Sequence, residues 1–412
     1  MNINNTYINR ILVLGLAGLA LAASACESIL PSEPLEEELL AGPIDGLTSQ
    51  QLASHFAGDE EFARVFGFQD GLGPVFVSNS CESCHLGDGK GHPLTTLTRF
   101  GKMRGSIFDH LVEEGGPQLQ NRAIAGYPVE NIPAHASGVT RLMPPAVTGL
   151  GYLEMVDDAT ILELADPDDA DGDGISGRPN YVDAPDFFVP SARHQSVGGK
   201  FIGRFGKKAG AIDLLQQTAT AYREDMGITT DFIPEDIFNI RDAGSHTGDG
   251  IADPEAPASV VRNVVFYLRT LKVPPRRNAE NVRAGEEIFQ RIGCAGCHTP
   301  SMRTGASDIA ALDNVEFHAY TDLLLHDMGP ELDDGYTEGS ALTSEWKTPP
   351  LWGIGLAETS QGGRAFFMHD GRAHTLEAAI GLHGGEGDGS RRMFNALSVD
   401  DRNKLLEFLR SL

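Results

Sequence analysis

Hydrophobic positions recur at helical spacing at the end of the chain. Leu405, Leu406, Phe408, Leu409 and Leu412 form one apolar stripe, and Ser398 with Asp401 makes a capping-box-like start, so the last segment is predicted as an amphipathic helix. A similar string, Val265-Phe266-Tyr267-Leu268-Arg269-Thr270-Leu271, stops just before Pro274-Pro275, which cannot continue a helix. A short helix is predicted over Val282 to Gln290. Gly285 is its small residue, able to meet Phe408 of the last helix at a close crossing beside Phe289. Lys272 to Arg277 then reads as a junction between two units, at 45–273 and 278–412.

The two units echo each other. Gly73-Pro74-Val75-Phe76 stands before Cys81 as Gly285-Glu286-Glu287-Ile288-Phe289 stands before Cys294. Pro144-Pro145 to Gly151 matches Pro349-Pro350 to Gly355, and the two closing helices match as well. Three matches in one order indicate an internal duplication. Each copy carries a C-x-x-C-H pentapeptide, Cys81-Glu82-Ser83-Cys84-His85 and Cys294-Ala295-Gly296-Cys297-His298. This spacing lets two thiols bond the vinyl groups of one haem while the adjacent histidine reaches the iron. Two covalent c-type haems are expected, on Cys81, Cys84 and His85 and on Cys294, Cys297 and His298. The fold expectation is mainly α, with two cytochrome-c-like helical haem domains, long loops and little strand.

Four of the five cysteines belong to these motifs. The fifth follows an apolar run, Ile11 to Ala22, and the small residues Ala23-Ser24-Ala25. The run falls short of the roughly 20 residues of a membrane-spanning helix. It reads as a bacterial lipoprotein leader over residues 1–25, cut before Cys26, whose thiol takes the lipid. Residues 26–44, rich in Glu, Pro and Ser, are expected to tether the folded part to the membrane. The location is therefore the bacterial cell envelope. With 58 Asp and Glu against 32 Lys and Arg, a formal charge of −26 opposes nucleic-acid binding and favours a basic redox partner.

An acidic stretch, Asp169-Ala170-Asp171-Gly172-Asp173-Gly174-Ile175, resembles the first half of a calcium loop, with Asp169, Asp171, Asp173 and the Ile175 carbonyl as ligands. The closing glutamate is absent, and Asn180 stands in its place. One calcium ion is expected. The segment Thr247-Gly248-Asp249-Gly250 is too sparse to assign.

Longer motifs carry a family resemblance. They include Thr348-Pro349-Pro350-Leu351-Trp352-Gly353-Ile354-Gly355-Leu356, Phe367-Met368-His369-Asp370-Gly371-Arg372, His383-Gly384-Gly385-Glu386, Asp171-Gly172-Asp173-Gly174-Ile175-Ser176-Gly177-Arg178, Gly203-Arg204-Phe205-Gly206 and Asp225-Met226-Gly227-Ile228-Thr229. Together they resemble the bacterial dihaem c-type oxidoreductases, labelled peroxidases or thiol oxidoreductases. These are relatives of dihaem cytochrome c peroxidase and of the enzyme that matures methylamine dehydrogenase. The residues leave Met368, His369, His374 and His383 open as sixth ligand of the second haem. The resemblance implies His383, fourteen residues after His369, with Met368 as runner-up.

For the first haem, His92, Met103 and His110 are candidates. The distal glutamate of the peroxidases has its best match at Leu214-Leu215-Gln216-Gln217, where no carboxylate stands, so Gln216, Gln217 and, as a substitute just after the Pro-Pro segment, Glu154 are the candidate catalytic residues. Trp352 or Tyr152 is a candidate to lie between the haems.

The function expected is a peroxidase-like oxidoreductase. The second haem exchanges electrons with the first, and the first reacts with peroxide or another small oxidant. The redox partner is a protein such as a small cytochrome or cupredoxin. The alternatives are a non-catalytic electron-transfer cytochrome or an accessory redox protein of iron handling. All five cysteines have other tasks, which argues against dithiol exchange.

Overall fold

The computed structural model describes residues 40, 42–242, 244, 248–277 and 282–412. The leader, Cys26 and most of the tether lie outside the described residues. Five helices build the surroundings of the two C-x-x-C-H motifs: α1 (Ser49–Ala63), α2 (Leu214–Met226), α3 (Ala258–Thr270), α4 (Arg283–Arg291) and α5 (Val399–Ser411). Thr48 caps α1 by accepting from Gln51 N, and Asp213 caps α2 by accepting from Gln216 N. The predicted stripe on α5 is buried, and the Ser398 side chain accepts from Asp401 N at 3.1 Å.

The duplication recurs as two helix crossings with a glycine at each. A Cβ on Gly285 of α4 would sit 2.1 Å from Lys404 O and 2.6 Å from Phe408 Cβ of α5. A Cβ on Gly58 of α1 would sit 2.1 Å from Asn263 O and 2.6 Å from Tyr267 Cβ of α3. Only glycine permits backbones that close. The Pro-Pro segments repeat the device: Gly151 lies against Arg269 O and Gly355 against Arg410 O, at 2.0 and 2.1 Å from a built Cβ. This geometry corrects one echo read in the sequence. Phe76 sits in a two-residue strand, Val75–Phe76, paired with Arg122–Ala123. The true counterpart of Gly285 and Phe289 is Gly58 and Phe62, at the same four-residue spacing. The first copy inserts residues 64–80 between its helix and its cysteines, and that insertion hid the match.

The expectation of a mainly helical chain with little strand is also corrected. The structure is 32% helix and 13% strand, with several small sheets. The largest orders Ile107–Asp109, Leu97–Arg104 and Gly138–Leu142 in one antiparallel unit. A second is built from Tyr181–Val182, Lys200–Ile202 and Ser196–Val197. The physical reason lies in the 48 glycines and 23 prolines, which keep runs too short for helices. Leu97–Arg104 buries only Phe100 and Gly101, and it forms a strand through its pairing with Gly138–Leu142.

The main core gathers Phe62, Phe66, Leu153, Ile161, Tyr222, Met226, Val264 and Leu268 from the first copy, with Phe317, Leu323, Leu324 and Trp352 from the second. A further core holds Phe289, Tyr320, Phe394, Leu405 and Phe408. Trp352 packs on Phe317 at 6.1 Å, and Phe317 on Tyr152 at 5.4 Å. Leu40 and Ile44, placed in the tether by the sequence, are packed, with Ile44 N donating to Thr270 O at 2.8 Å. Among the described residues, no helix is long and apolar enough to cross a membrane.

Candidate functional site

Each pentapeptide folds tightly around its own first cysteine. Cys84 N and His85 N donate to Cys81 O at 3.1 and 3.0 Å, and His298 N donates to Cys294 O at 3.0 Å. None of these four cysteines is paired in a disulfide. Burial pushes Cys81 and Cys294 up to about 12, so both are neutral and unsuited to thiolate exchange. Phe62 lies 6.1 Å from the His85 ring and Phe289 6.4 Å from the His298 ring, one equivalent contact in each copy.

The histidines are prepared for a metal. His85 Nδ1 lies 2.8 Å from Pro145 O, and His298 Nδ1 lies 3.0 Å from Tyr320 O. A carbonyl only accepts, so each Nδ1 carries the proton and each Nε2 keeps its lone pair. This second contact is the one that orients metal-bound imidazoles. Burial lowers both rings to about 4, which keeps them neutral at ordinary pH.

His383 has the same arrangement, with Nδ1 2.8 Å from Ala379 O at the end of a short helix, Leu376–Gly381. After burial, the charge of His383 is the next influence on the His298 ring. Met368 has a left-handed backbone (φ 68°) and packs against the second core. His369 is stacked on Trp346 at 3.8 Å and 11°, and burial drives it down to about 3. His374 places Nδ1 3.2 Å from Ala365 O and turns its ring edge-on to Phe366.

The first centre differs. Phe62, Ser78, Cys81, Cys84, His85, Gln217, Tyr222, Asp225, Met226 and Leu268 are among the residues lining a cavity with about 520 Å³ free of protein atoms, open in part to solvent. None of the three candidate sixth ligands lines it. His92 Nδ1 accepts from Leu94 N at 3.1 Å, and its ring meets Phe366. Met103 is 42% exposed on its strand. His110 faces Phe108 and Tyr336.

The charged side chain that acts on His85 is Lys207. Lys207 lies among Lys90, Lys347 and Asp370, and Lys347 N donates to Lys207 O at 3.0 Å. Burial brings Lys90 and Lys347 down to about 8 and Lys207 further. The ammonium groups of these three lysines form no ion pair among the described residues. Three half-buried cations without carboxylate partners, beside an oriented imidazole, fit the propionates of a haem.

The candidate catalytic residues separate. Glu154 is fully engaged: Arg269 Nη2 donates to Oε1 at 3.1 Å, Arg269 Nε donates to Oε2, and Leu214 N donates to Oε1 at 2.9 Å. Burial raises its pKa, but Arg269 outweighs that and holds it below the usual carboxylate range. Gln216 Oε1 accepts from Ile212 N at 2.8 Å and so closes the turn before α2. Gln217 alone of the three lines the cavity.

Sequence reasoning missed Asp225, one helix face away. Its carboxylate accepts from Gln118 Nε2 at 2.7 Å, and burial raises it to about 6. The signal was its place in the quoted Asp225-Met226-Gly227 motif. It also missed His326, whose Nε2 lies 2.8 Å from Asp322, Nδ1 2.7 Å from Glu386 and Nδ1 3.4 Å from Cys297 Sγ. Asp322 is only four residues from His326, but Cys297 and Glu386 lie 29 and 60 residues away, and no spacing rule links them.

In the acidic loop, Asp166, Asp169 and Asp171 bring oxygens within 4.8 Å of one another, whereas Asp173 turns to accept from Ile175 N at 2.8 Å. Asp166 caps Ala170 N at 2.9 Å, and Asp169 accepts from Gly174 N at 3.1 Å. The loop touches the second motif: a Cβ on Gly296 would lie 2.5 Å from Ile175 Cδ1.

Comparison with known proteins completes the picture. No curated protein matches the chain. A solved structure titled "Kuenenia stuttgartiensis Hydrazine Synthase Pressurized with 20 bar Xenon" is similar over 93% of this chain and 96% of that one, at 16% identity and a TM-score of 0.34. A likeness that low carries no argument here. The family described as "Di-haem oxidoreductase, putative peroxidase" matches residues 137–412, two thirds of the sequence, and the chain belongs to this di-haem oxidoreductase family.

Proposed function

We propose that this di-haem oxidoreductase holds both haems covalently, on Cys81 and Cys84 and on Cys294 and Cys297, and works as a peroxidase-like enzyme of the bacterial cell envelope. Bound haem supplies one-electron storage at each centre and, where an axial position is open, a place for a small oxidant. In this reading His298 and His383 hold the second group from both faces, and that centre takes electrons from a redox protein. The electrons then pass to the first centre, which His85 holds from one side and where peroxide or another small oxidant reacts.

The observation that carries the reading is the asymmetry between the centres. The charge of His383 acts on the His298 ring, whereas that of Lys207 acts on His85, which lines a cavity together with Gln217 and Asp225. Gln217 can donate a hydrogen bond to an oxidant. Asp225, raised to about 6, can carry the proton that glutamine cannot. Lys90, Lys207 and Lys347 would neutralise the propionates. The lipid anchor on Cys26, a basic protein partner and a calcium ion in the 166–173 loop belong to the same proposal; the calcium rests on the sequence pattern and on the closeness of three carboxylates.

Optical and EPR spectra of the oxidised and half-reduced protein test it. One low-spin centre untouched by peroxide and a second that changes on its addition are expected. Two low-spin centres, both inert, would mean an electron carrier, a reading that the locked Glu154 and Gln216 favour.

A further inference from the structure

Away from both haem motifs, oxygens of Asp236, Asp249 and Glu255 lie within 4.8 Å of one another. Each carboxylate has one oxygen in use. Asp249 Oδ1 accepts from Ile251 N at 2.7 Å, Glu255 Oε2 accepts from Thr229 N at 2.6 Å, and Asp236 accepts from the Asp249 backbone N–H. The remaining oxygens, Asp236 Oδ1, Asp249 Oδ2 and Glu255 Oε1, are buried and have no hydrogen-bond partner. Asp249 as a whole is only 5% exposed. No lysine or arginine pairs with any of the three among the described residues.

Buried acceptors without donors are costly, and three converging carboxylates repel one another. Burial, then the charges of Asp253 and Asp249, push Asp236 to about 6 and Glu255 to about 7. Something positive is missing, and no side chain among the described residues supplies it. The backbone, in contrast, is shaped around the cluster. A Cβ on Gly71 (φ +93°) would sit 2.1 Å from Glu255 Cγ, and a Cβ on Gly248 (φ +67°) would sit 2.1 Å from Asp236 Oδ2. Both glycines make room for the acids.

We propose that Asp236, Asp249 and Glu255 bind a hard divalent cation, calcium, at a site separate from the 166–173 loop. The donors are all oxygen, and ligands roughly 2.3–2.6 Å from a calcium ion can be no more than about 5 Å apart, as here. The site ties together the elements that wall the first cavity. Thr229, which holds Glu255, follows α2, and Glu255 lies two residues before Pro257, the cap of α3. Gln217 and Asp225 of α2, with Val264 and Leu268 of α3, line that cavity. Calcium therefore fastens the first haem module and does not depend on the reaction proposed above.

The test uses the full haem-loaded chain, treated with EGTA until elemental analysis finds no calcium. It is then titrated with calcium chloride by calorimetry and unfolded thermally with and without calcium. Saturable binding and a Tm several degrees higher with calcium are expected. Asp249→Asn and Glu255→Gln should each weaken that binding at least about tenfold and abolish the Tm rise. Their stripped Tm should equal or exceed that of the wild type, because a repulsion has been removed. Asp171→Asn should keep the response. A wild-type protein indifferent to calcium overturns the proposal. So does a response that survives both variants and vanishes in Asp171→Asn. A merely structural role, with Tm lowered equally in both conditions, overturns it as well.

Discussion

The two copies of the haem module share a skeleton and differ in what they place over it. Both cross their helices at a glycine, Gly58 and Gly285, and both set a phenylalanine four residues on, near the motif histidine. Both fix that histidine through a backbone carbonyl. In the proposed reading His383, itself fixed by Ala379 O, closes the second centre. At the first centre Lys207 acts on His85, and an amide and a carboxyl, Gln217 and Asp225, line the cavity. A duplicated scaffold thus keeps the parts that hold an iron and changes the parts that decide what else can reach it. Holding requires one oriented nitrogen; discrimination requires the opposite face.

The largest effect comes from removing one copy's attachment. A Cys81→Ala/Cys84→Ala double variant should fall from two covalent haems per chain to one, measured as pigment that survives acid–acetone extraction. If two remain, the covalent reading fails at the first motif. The next tests the closed centre. His383→Met should raise one midpoint potential by about 0.1–0.2 V, a fraction of the roughly 0.8 V that axial ligands span, and leave the other almost unmoved. A titration in which neither midpoint shifts would remove His383 from the iron.

Much of this contrast was legible in the sequence, and the gaps have physical causes. The C-x-x-C-H spacing is local, so its geometry follows from five residues. The stripe of α5 is local too, and Gly285 stands out as the small residue of a short helix even though its partner Phe408 lies far along the chain. Gly58 escaped because residues 64–80 separate α1 from Cys81, and a match that depends on distance from the cysteine breaks there. The strands escaped because short pairs such as Leu97–Arg104 with Gly138–Leu142 gain their stability from partners far along the chain. Glu154 looked available on sequence; only folding shows Arg269 clamped onto it. Lys90, Lys207 and Lys347 are unremarkable lysines until two loops and the strand Glu345–Lys347 bring them to one place.

Those lysines give the third test of the contrast. A cation near an iron stabilises the reduced form, so Lys207→Gln should lower the first midpoint and spare the second. A drop of about 50 mV is expected, close to 1 kcal/mol for one electron and within what a single partly screened charge supplies. Equal shifts at both centres would place Lys207 between them and not at the first.

The smallest effect distinguishes the second cysteine of each motif. Cys84 lies beside the Ser78 and Ser83 hydroxyls, while Cys297 lies beside His326, a histidine clamped by Asp322 and Glu386. Burial works against its charge, but the hydrogen bonds it makes to Asp322, Cys297 and Glu386 win and raise His326 to about 12. It therefore stays protonated across the physiological range, and the second midpoint should be flat between about pH 6 and 9, far from the roughly 59 mV per unit of a proton-coupled electron. Stability behaves otherwise. The unfolded chain gives up this proton near pH 6.5 while the folded chain keeps it. The contribution is thus complete below about 6.5 and declines as pH rises toward 12. Thermal unfolding should show Tm falling from pH 7 to 9, and His326→Gln should flatten that slope while lowering Tm at every pH, because Asp322 and Glu386 lose their cation. A second midpoint that moves with pH while Tm does not would show that His326 titrates in the folded protein.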